Sequence, residues 1–211
     1  MWAGTIVLAS AAIWAVTRLT SSGGPSRGAR DCGRRPAPTG KLVGAQLQGA
    51  NLACADLEGR EMSGAQLMGA NLSRARLAGA HLERAVLTRA SLSGADLRGA
   101  DLFAADLWNT DLSGANLQGA NLRAAAMNFA TAQRAQLMNA DLSFAGFLQA
   151  DLREANLRGA ILNTTGFRGA DLSGADLTGV DIAGADWTGA TCPDGHVARA
   201  GETCAGHTVL R

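Results

Sequence analysis

Four residues near the C-terminus could do chemistry together: Cys192, His196, Cys204 and His207. Two thiols and two imidazoles make a zinc ligand set, and the two thiols alone make a disulfide. Their spacing, C-x3-H-x7-C-x2-H, is not that of a standard zinc finger. From spacing alone both chemistries stay open. Cys32 and Cys54, the other two cysteines, allow a second bridge. Elsewhere there is no nucleophile–base pair, phosphate loop or cofactor fingerprint. The Asp residues recur singly, one slot at a time, so they are not paired carboxylates for acid–base work. No enzyme, cofactor or resident metal is expected.

The element that must position these residues is a repeat. From Leu42 to Trp187, thirty centres follow one another every five residues without a slip. Most centres are Leu; the others are Met62, Met127, Ala132, Phe147, Phe167, Ile182 and Trp187. Ala fills most slots two residues before the centre, Asp or Asn about half of the slots one before it, and Gly dominates two after it. A period of five fits neither a helix nor a strand. It fits a turn that recurs every five residues, with the Leu and Ala pointing inward. Four units then close a square coil of 20 residues, and coils stack at the interstrand spacing, about 4.8 Å. Thirty units give about 7.5 coils, a rod of about 36 Å. No Pro occurs from Lys41 to Cys192, as backbone pairing along such a rod requires. The Asp/Asn slot reads as a turn-compatible ladder that bonds local backbone. His81 stands in that slot and reads as a surface residue.

Hydrophobic residues are 47% of the 211-residue chain but aromatics only 4%, so Ala and Leu must build the core. Sorted on a 20-residue coil, all three aromatic centres, Phe147, Phe167 and Trp187, fall on one inner face in consecutive coils. The core should therefore grow bulkier toward its C-terminal end. Ala132 follows Met127 as the next corner, a small centre beside a long one, which reads as volume compensation. Arg60 falls in an inward slot, where a charge needs a partner or an escape to solvent. A local distortion is expected there, with Glu58 or Glu61 as the nearest acids.

These residues resemble the pentapeptide repeat family, whose motif is Ala-(Asp/Asn)-Leu-X-X, from Gly40 to about Thr191. The resemblance implies an all-β fold, a right-handed quadrilateral β-helix over 40–191. The following stretch, Cys192-Pro193-Asp194-Gly195 and then Thr203-Cys204, resembles the tails of exported bacterial members. That likeness implies a Cys192–Cys204 disulfide closing a capping tail over 192–211, and hence an oxidising compartment. An open coil end needs such a cover.

Residues 1–19 are apolar up to Arg18 and read as a signal peptide or a transmembrane helix. Residues 20–39, rich in Ser, Gly, Pro and Arg, read as a flexible linker. Positive-inside bias would keep an Arg-rich flank in the cytoplasm, whereas paired cysteines point outward. Net charge is +1, with no basic footprint for nucleic acid. Four outward aromatics, Phe103, Trp108, Phe129 and Phe144, could form an exposed apolar patch for a protein partner or a second copy. The expected function is a non-catalytic structural or protein–protein interaction rod in the cell envelope, held to the membrane by residues 1–19 if these are not cleaved. The alternative implied by the family is a cytoplasmic DNA mimic that binds gyrase. That role calls for a strongly acidic rod, whereas residues 40–191 hold twelve basic and fifteen acidic side chains.

Overall fold

The structure, a computed structural model, describes Cys32 and residues 41–206. The expected N-terminal helix and, apart from Cys32, the linker lie outside the described residues. Among the described residues, no helix is long and apolar enough to cross a membrane.

The backbone runs as a four-sided coil. Parallel bridges join residues 20 apart, beginning with Gln46↔Gln66 and ending with Asp171↔Thr191. Each five-residue unit distributes its N–H groups in a fixed way. The Leu97 amide donates along the axis to the Asn116 carbonyl at 2.7 Å, and the Gly99 amide to that of Gln118 at 2.9 Å. The Ala100 amide closes the corner on the Leu97 carbonyl at 3.0 Å, and the Asp101 amide donates back to Ala80 at 2.9 Å. The fifth amide, Arg98, is met by Asp96 Oδ1 at 3.3 Å. The Asp/Asn slot is thus a cap for the one amide that the coil cannot pair. Its recurrence follows from the cost of an unpaired backbone donor.

The same pattern points each centre and its Ala inward. Nearly all are buried in one continuous column from Leu42 to Cys204. The three aromatic centres stack: Phe147 on Phe167 at 5.1 Å between centroids, and Phe167 on Trp187 at 4.6 Å, with planes 16° and 17° apart. Thr110 and Thr165, which replace inward Ala, are buried, and their hydroxyls donate to the Leu87 and Leu142 carbonyls at 2.8 Å.

Two features depart from the sequence expectation. Arg60 does not distort its corner. Gly59 keeps φ 61°, Arg60 N bonds Leu57 O at 3.1 Å, and His81 N bonds Arg60 O at 2.9 Å. The slot lies at the first described coil, and Arg60 there is half-buried. There Arg60 helps to line a cavity of about 660 Å³ with Lys41, Leu42, Val43, Gly59 and Glu61. The second departure lies at the other end. The parallel bridges skip Asp181, Gly184 has no left-handed φ, and Thr164 N reaches Gly184 O. Trp187 is the cause: its indole N–H takes the Ile182 carbonyl at 3.0 Å, and the corner bond from Ala185 to that carbonyl stretches to 3.5 Å.

Every corner from residue 44 to residue 179 holds a left-handed residue at its third position, and fourteen of these are not Gly. They include Ala124 (φ 56°), Phe129 (φ 60°) and Phe144 (φ 62°). A side chain in that region costs roughly 1–2 kcal/mol. Ala124→Gly is therefore expected to stabilise the rod by about 1 kcal/mol. The check is a higher urea midpoint at unchanged slope. A lower midpoint would contradict the reading.

Candidate interaction face

The four sides of the coil can be told apart by their outward column. Side 1 carries 41, 61, 81 and so on; side 2 carries 46, 66, 86 and so on; sides 3 and 4 begin at 51 and 56. Sides 3 and 4 are polar throughout their outward column, and side 1 is polar but for Ile161. On side 2 the column reads Gln46, Gln66, Val86, Asp106, Ala126, Gly146, Gly166 and Asp186. Four of its eight slots have lost the polar cap. The amides of Thr88, Asn128, Leu148 and Arg168 therefore have no carboxylate from their own coil. Asn128 Oδ1 serves the Leu148 amide at 3.0 Å from the coil before.

The aromatics expected to be exposed stand at the two corners that frame this side. At one corner Trp108 meets Phe129 edge to face at 5.7 Å, with the Arg89 guanidinium 5.4 Å from the Trp108 centroid. At the other, Arg123 lies 5.9 Å from the Phe144 ring. Phe103 sits one coil before Arg123 in the same column. Phe144 is 57% exposed and Phe129 38%. Leu148, also exposed, extends the Trp108 column. The floor between these walls is made of Ala126, Gly146 and Gly166. Among the described residues no ring contact links the two corners, and the Asn128 side chain folds over Gly146 on the floor between them.

Charges around this side have fixed partners. Asp106 accepts from the Thr88 hydroxyl at 2.8 Å and from the Trp108 amide at 3.0 Å. At the edge, burial pushes the Glu83 carboxyl up, but the Ser63 hydroxyl, its own amide and His81 together hold it below the usual carboxylate range. The Thr188 hydroxyl and amide hold Asp186 low as well. Arg84, Arg89, Arg123 and Arg168 stand around the floor among Glu83, Asp106 and Asp186, with Arg123 3.7 Å from Asp141 and Arg168 4.0 Å from Asp186, so the charge on this side is mixed.

The cysteines lie at the ends. Cys192 and Cys204 are joined by a disulfide and fully buried, and Cys192 occupies the next centre after Trp187. Their sulfurs are committed to each other, so they are not thiolate ligands. The chain then folds back. Thr191 pairs antiparallel with Val197, and the Ala198 amide bonds Ala190 while the Gly189 amide bonds Ala198. This hairpin covers the backbone edge that the last coil would expose. At the other end Cys32 is bonded to Cys54, at a corner of the first coil. His196 lies 3.4 Å from Glu202, and His207 lies outside the described residues. His81 is set between Glu61 at 3.7 Å and Glu83 at 3.4 Å on the surface. No group of His, Cys, Asp and Glu suited to a metal ion occurs among the described residues.

Sequence reasoning found the aromatics but not the bare column between them. Its signal was available: sorting the Asp/Asn slot, and not only the centres, on the 20-residue period gathers Val86, Ala126, Gly146 and Gly166 on one side and leaves only Ile161 elsewhere.

Comparison with known proteins agrees with this geometry. The family model described as pentapeptide repeats matches in 8 copies, over residues 41–67, 65–102, 100–143, 135–174 and 150–191. The crystal structure of HetL, a pentapeptide repeat protein involved in heterocyst differentiation regulation from the cyanobacterium Nostoc sp. strain PCC 7120, is 31% identical. The match covers 75% of this chain and 89% of HetL, with a TM-score of 0.52. Trypsin-treated QnrB1, a plasmid-mediated fluoroquinolone resistance protein, is 23% identical over 74% of this chain and 78% of its own, also at a TM-score of 0.52. At that identity QnrB1 speaks to the fold alone. These likenesses imply the right-handed sense of the coil. No curated protein sequence matches the chain.

A cystine that fills the last inward slot should hold the C-terminal end. Replacing Cys192 and Cys204 together by Ser is expected to cost about 3 kcal/mol, the value for a short closed loop. Amide exchange at Gly189 and Ala198 should rise well before exchange at Leu112. Uniform protection along the rod in the double variant would refute a capping role.

Proposed function

The chain belongs to the pentapeptide repeat family, and from that membership we propose that it is a non-catalytic rod of about 7.5 coils that holds a protein partner on side 2. The observation that carries this reading is the bare column. Side 2 lacks a polar residue at four of its turn-capping slots, and it keeps Phe129 and Phe144 in a left-handed backbone that Gly would occupy at lower cost. Both choices lower stability, and both enlarge an exposed apolar surface. Local strain retained beside an apolar patch points to function. The continuous, filled core column supports a binding role over a catalytic one.

The rod works in the cell envelope, exported or tethered by residues 1–19, with 192–206 as its distal cap. Two disulfides support an oxidising compartment. A DNA-mimicking gyrase binder gains no support from side 2, where arginines and carboxylates alternate and no run of carboxylates stands in for phosphates.

Crosslinking in intact cells tests the surface. The full chain should give a crosslinked adduct that Trp108→Ala and Phe129→Ala each lose, with the unfolding free energy of each variant within about 1 kcal/mol of the parent. Unchanged adducts in both variants would sink the reading. Location is checked by protease added to intact cells: the C-terminal tail should be cut, and a tail cut only after lysis would place the rod inside.

A further inference from the structure

We infer that the Cys32–Cys54 bond is a thiol–disulfide exchange site, opened by a dithiol while the rod and its C-terminal cap stay folded. The inference does not depend on what side 2 holds.

The two disulfides differ in access. Exchange begins when a thiolate attacks one sulfur of the bond, so that sulfur must be reachable. Cys192 and Cys204 are fully buried, and Cys192 fills an inward slot of the column. The hairpin that carries them is pinned by the Thr191–Val197 pairing and by the Cys192 amide, which donates to the His196 carbonyl at 2.7 Å. A thiolate reaches that bond only when the hairpin opens. Cys32, by contrast, is exposed and Cys54 half-buried. Cys54 is the left-handed third residue of its corner, at φ 60°, and fills no inward slot.

Charge along the chain acts in the same direction. Within three residues Cys32 has Arg30, Arg34 and Arg35 against Asp31. Cations beside a departing thiolate stabilise it and speed exchange. Cys192 and Cys204 have Asp194 and Glu202 at that distance, and neither Lys nor Arg.

The corner that holds Cys54 owes its shape to the coil. The Cys54 amide donates to the Ser73 carbonyl at 3.0 Å, and the Leu52 and Leu57 amides to those of Asn71 and Arg76 at 2.7 Å. Leu52, Ala55 and Leu57 are buried in the column. None of these contacts involves sulfur, so opening the bond frees Cys32 and leaves the coil paired.

The dithiol balances the step. One of its thiolates attacks a sulfur of the bond, forms a mixed disulfide and expels the other sulfur as a thiolate. Its second thiolate then attacks the mixed disulfide at the dithiol's own sulfur. Two electrons and two protons pass to the protein, which keeps thiols at Cys32 and Cys54. The dithiol leaves as a disulfide.

The consequence is length. Residues 32–40 lie between the bond and Lys41. Once the bond is open, Cys32 can stand up to about 30 Å from Lys41 at full extension. A chain tethered by residues 1–19 then holds its rod farther from the membrane. That consequence rests on the tether reading, whereas the exchange site does not.

The test treats the purified full chain, in mild detergent, with dithiothreitol. Thiols are blocked with iodoacetamide at intervals and located by peptide mass spectrometry. All four cysteines start bonded, so every blocked site reports an opened bond. Cys32 and Cys54 should be blocked together, on the order of a hundredfold faster than Cys192 and Cys204. Amide protection at Leu52 and Leu57 should persist after the first pair has opened. In urea beyond the unfolding midpoint the two rates should come within about tenfold of each other. One common rate in the native chain, or Cys192 and Cys204 opening first, would overturn the site. So would loss of protection at Leu52 and Leu57 with the first pair, or a gap that urea leaves undiminished, since burial would not be its cause. A mature chain found to lack residues 1–19 would lose the tether and its change of reach, with the exchange result untouched.

Discussion

The fold depends on the axial backbone hydrogen bond between residues about twenty apart. Each unit makes three axial bonds and one corner bond, and the pattern repeats with little change from Gly44 to Asp176. Side chains enter as solutions to what this ladder imposes. The inward slots are small, so Leu and Ala fill them. The corner needs a left-handed residue at its third position. One amide per unit has no backbone acceptor, so Asp or Asn supplies one. A five-residue motif is the shortest text that meets all of these at once.

This dependence explains what the sequence made legible. The unslipped period gave the coil, and sorting the centres gave the column of Phe147, Phe167 and Trp187. The corners were harder to read. Gly marks only half of them up to residue 179, and Arg84, Gln149 or Thr164 give no local sign of a left-handed backbone. Their conformation is imposed by bonds to the coils above and below. Arg60 misled for the opposite reason: its slot looks fully buried by register, but at the first described coil the residue is half-buried and lines a cavity with Lys41 and Glu61. Near Asp181 the repeat text stays in register while the backbone does not, because the Trp187 indole competes for a corner carbonyl. The bare column on side 2 was present in the sequence. It becomes visible only when outward slots are sorted by side, since each apolar exception is unremarkable alone.

The proposed function rests on where the ladder's rules are relaxed. A rod of this kind offers four nearly equivalent faces, and specificity needs one of them to differ. Side 2 differs in two linked ways: missing caps on its turn amides and bulky aromatics at corners that favour Gly. Each carries a modest energetic penalty in the isolated rod, which the remaining regular coils and the two terminal disulfides can absorb. A surface that is mildly unfavourable alone gains most from being covered.

The most direct measurement is side-chain footprinting by a photoactivated carbene, applied to the full chain in intact cells and to the purified chain at high dilution. Trp108, Phe129, Phe144 and Leu148 should label strongly at dilution and weakly in cells, while Gln118 labels equally in both. Equal labelling of all five residues in the two settings would contradict the claim that side 2 is the covered face.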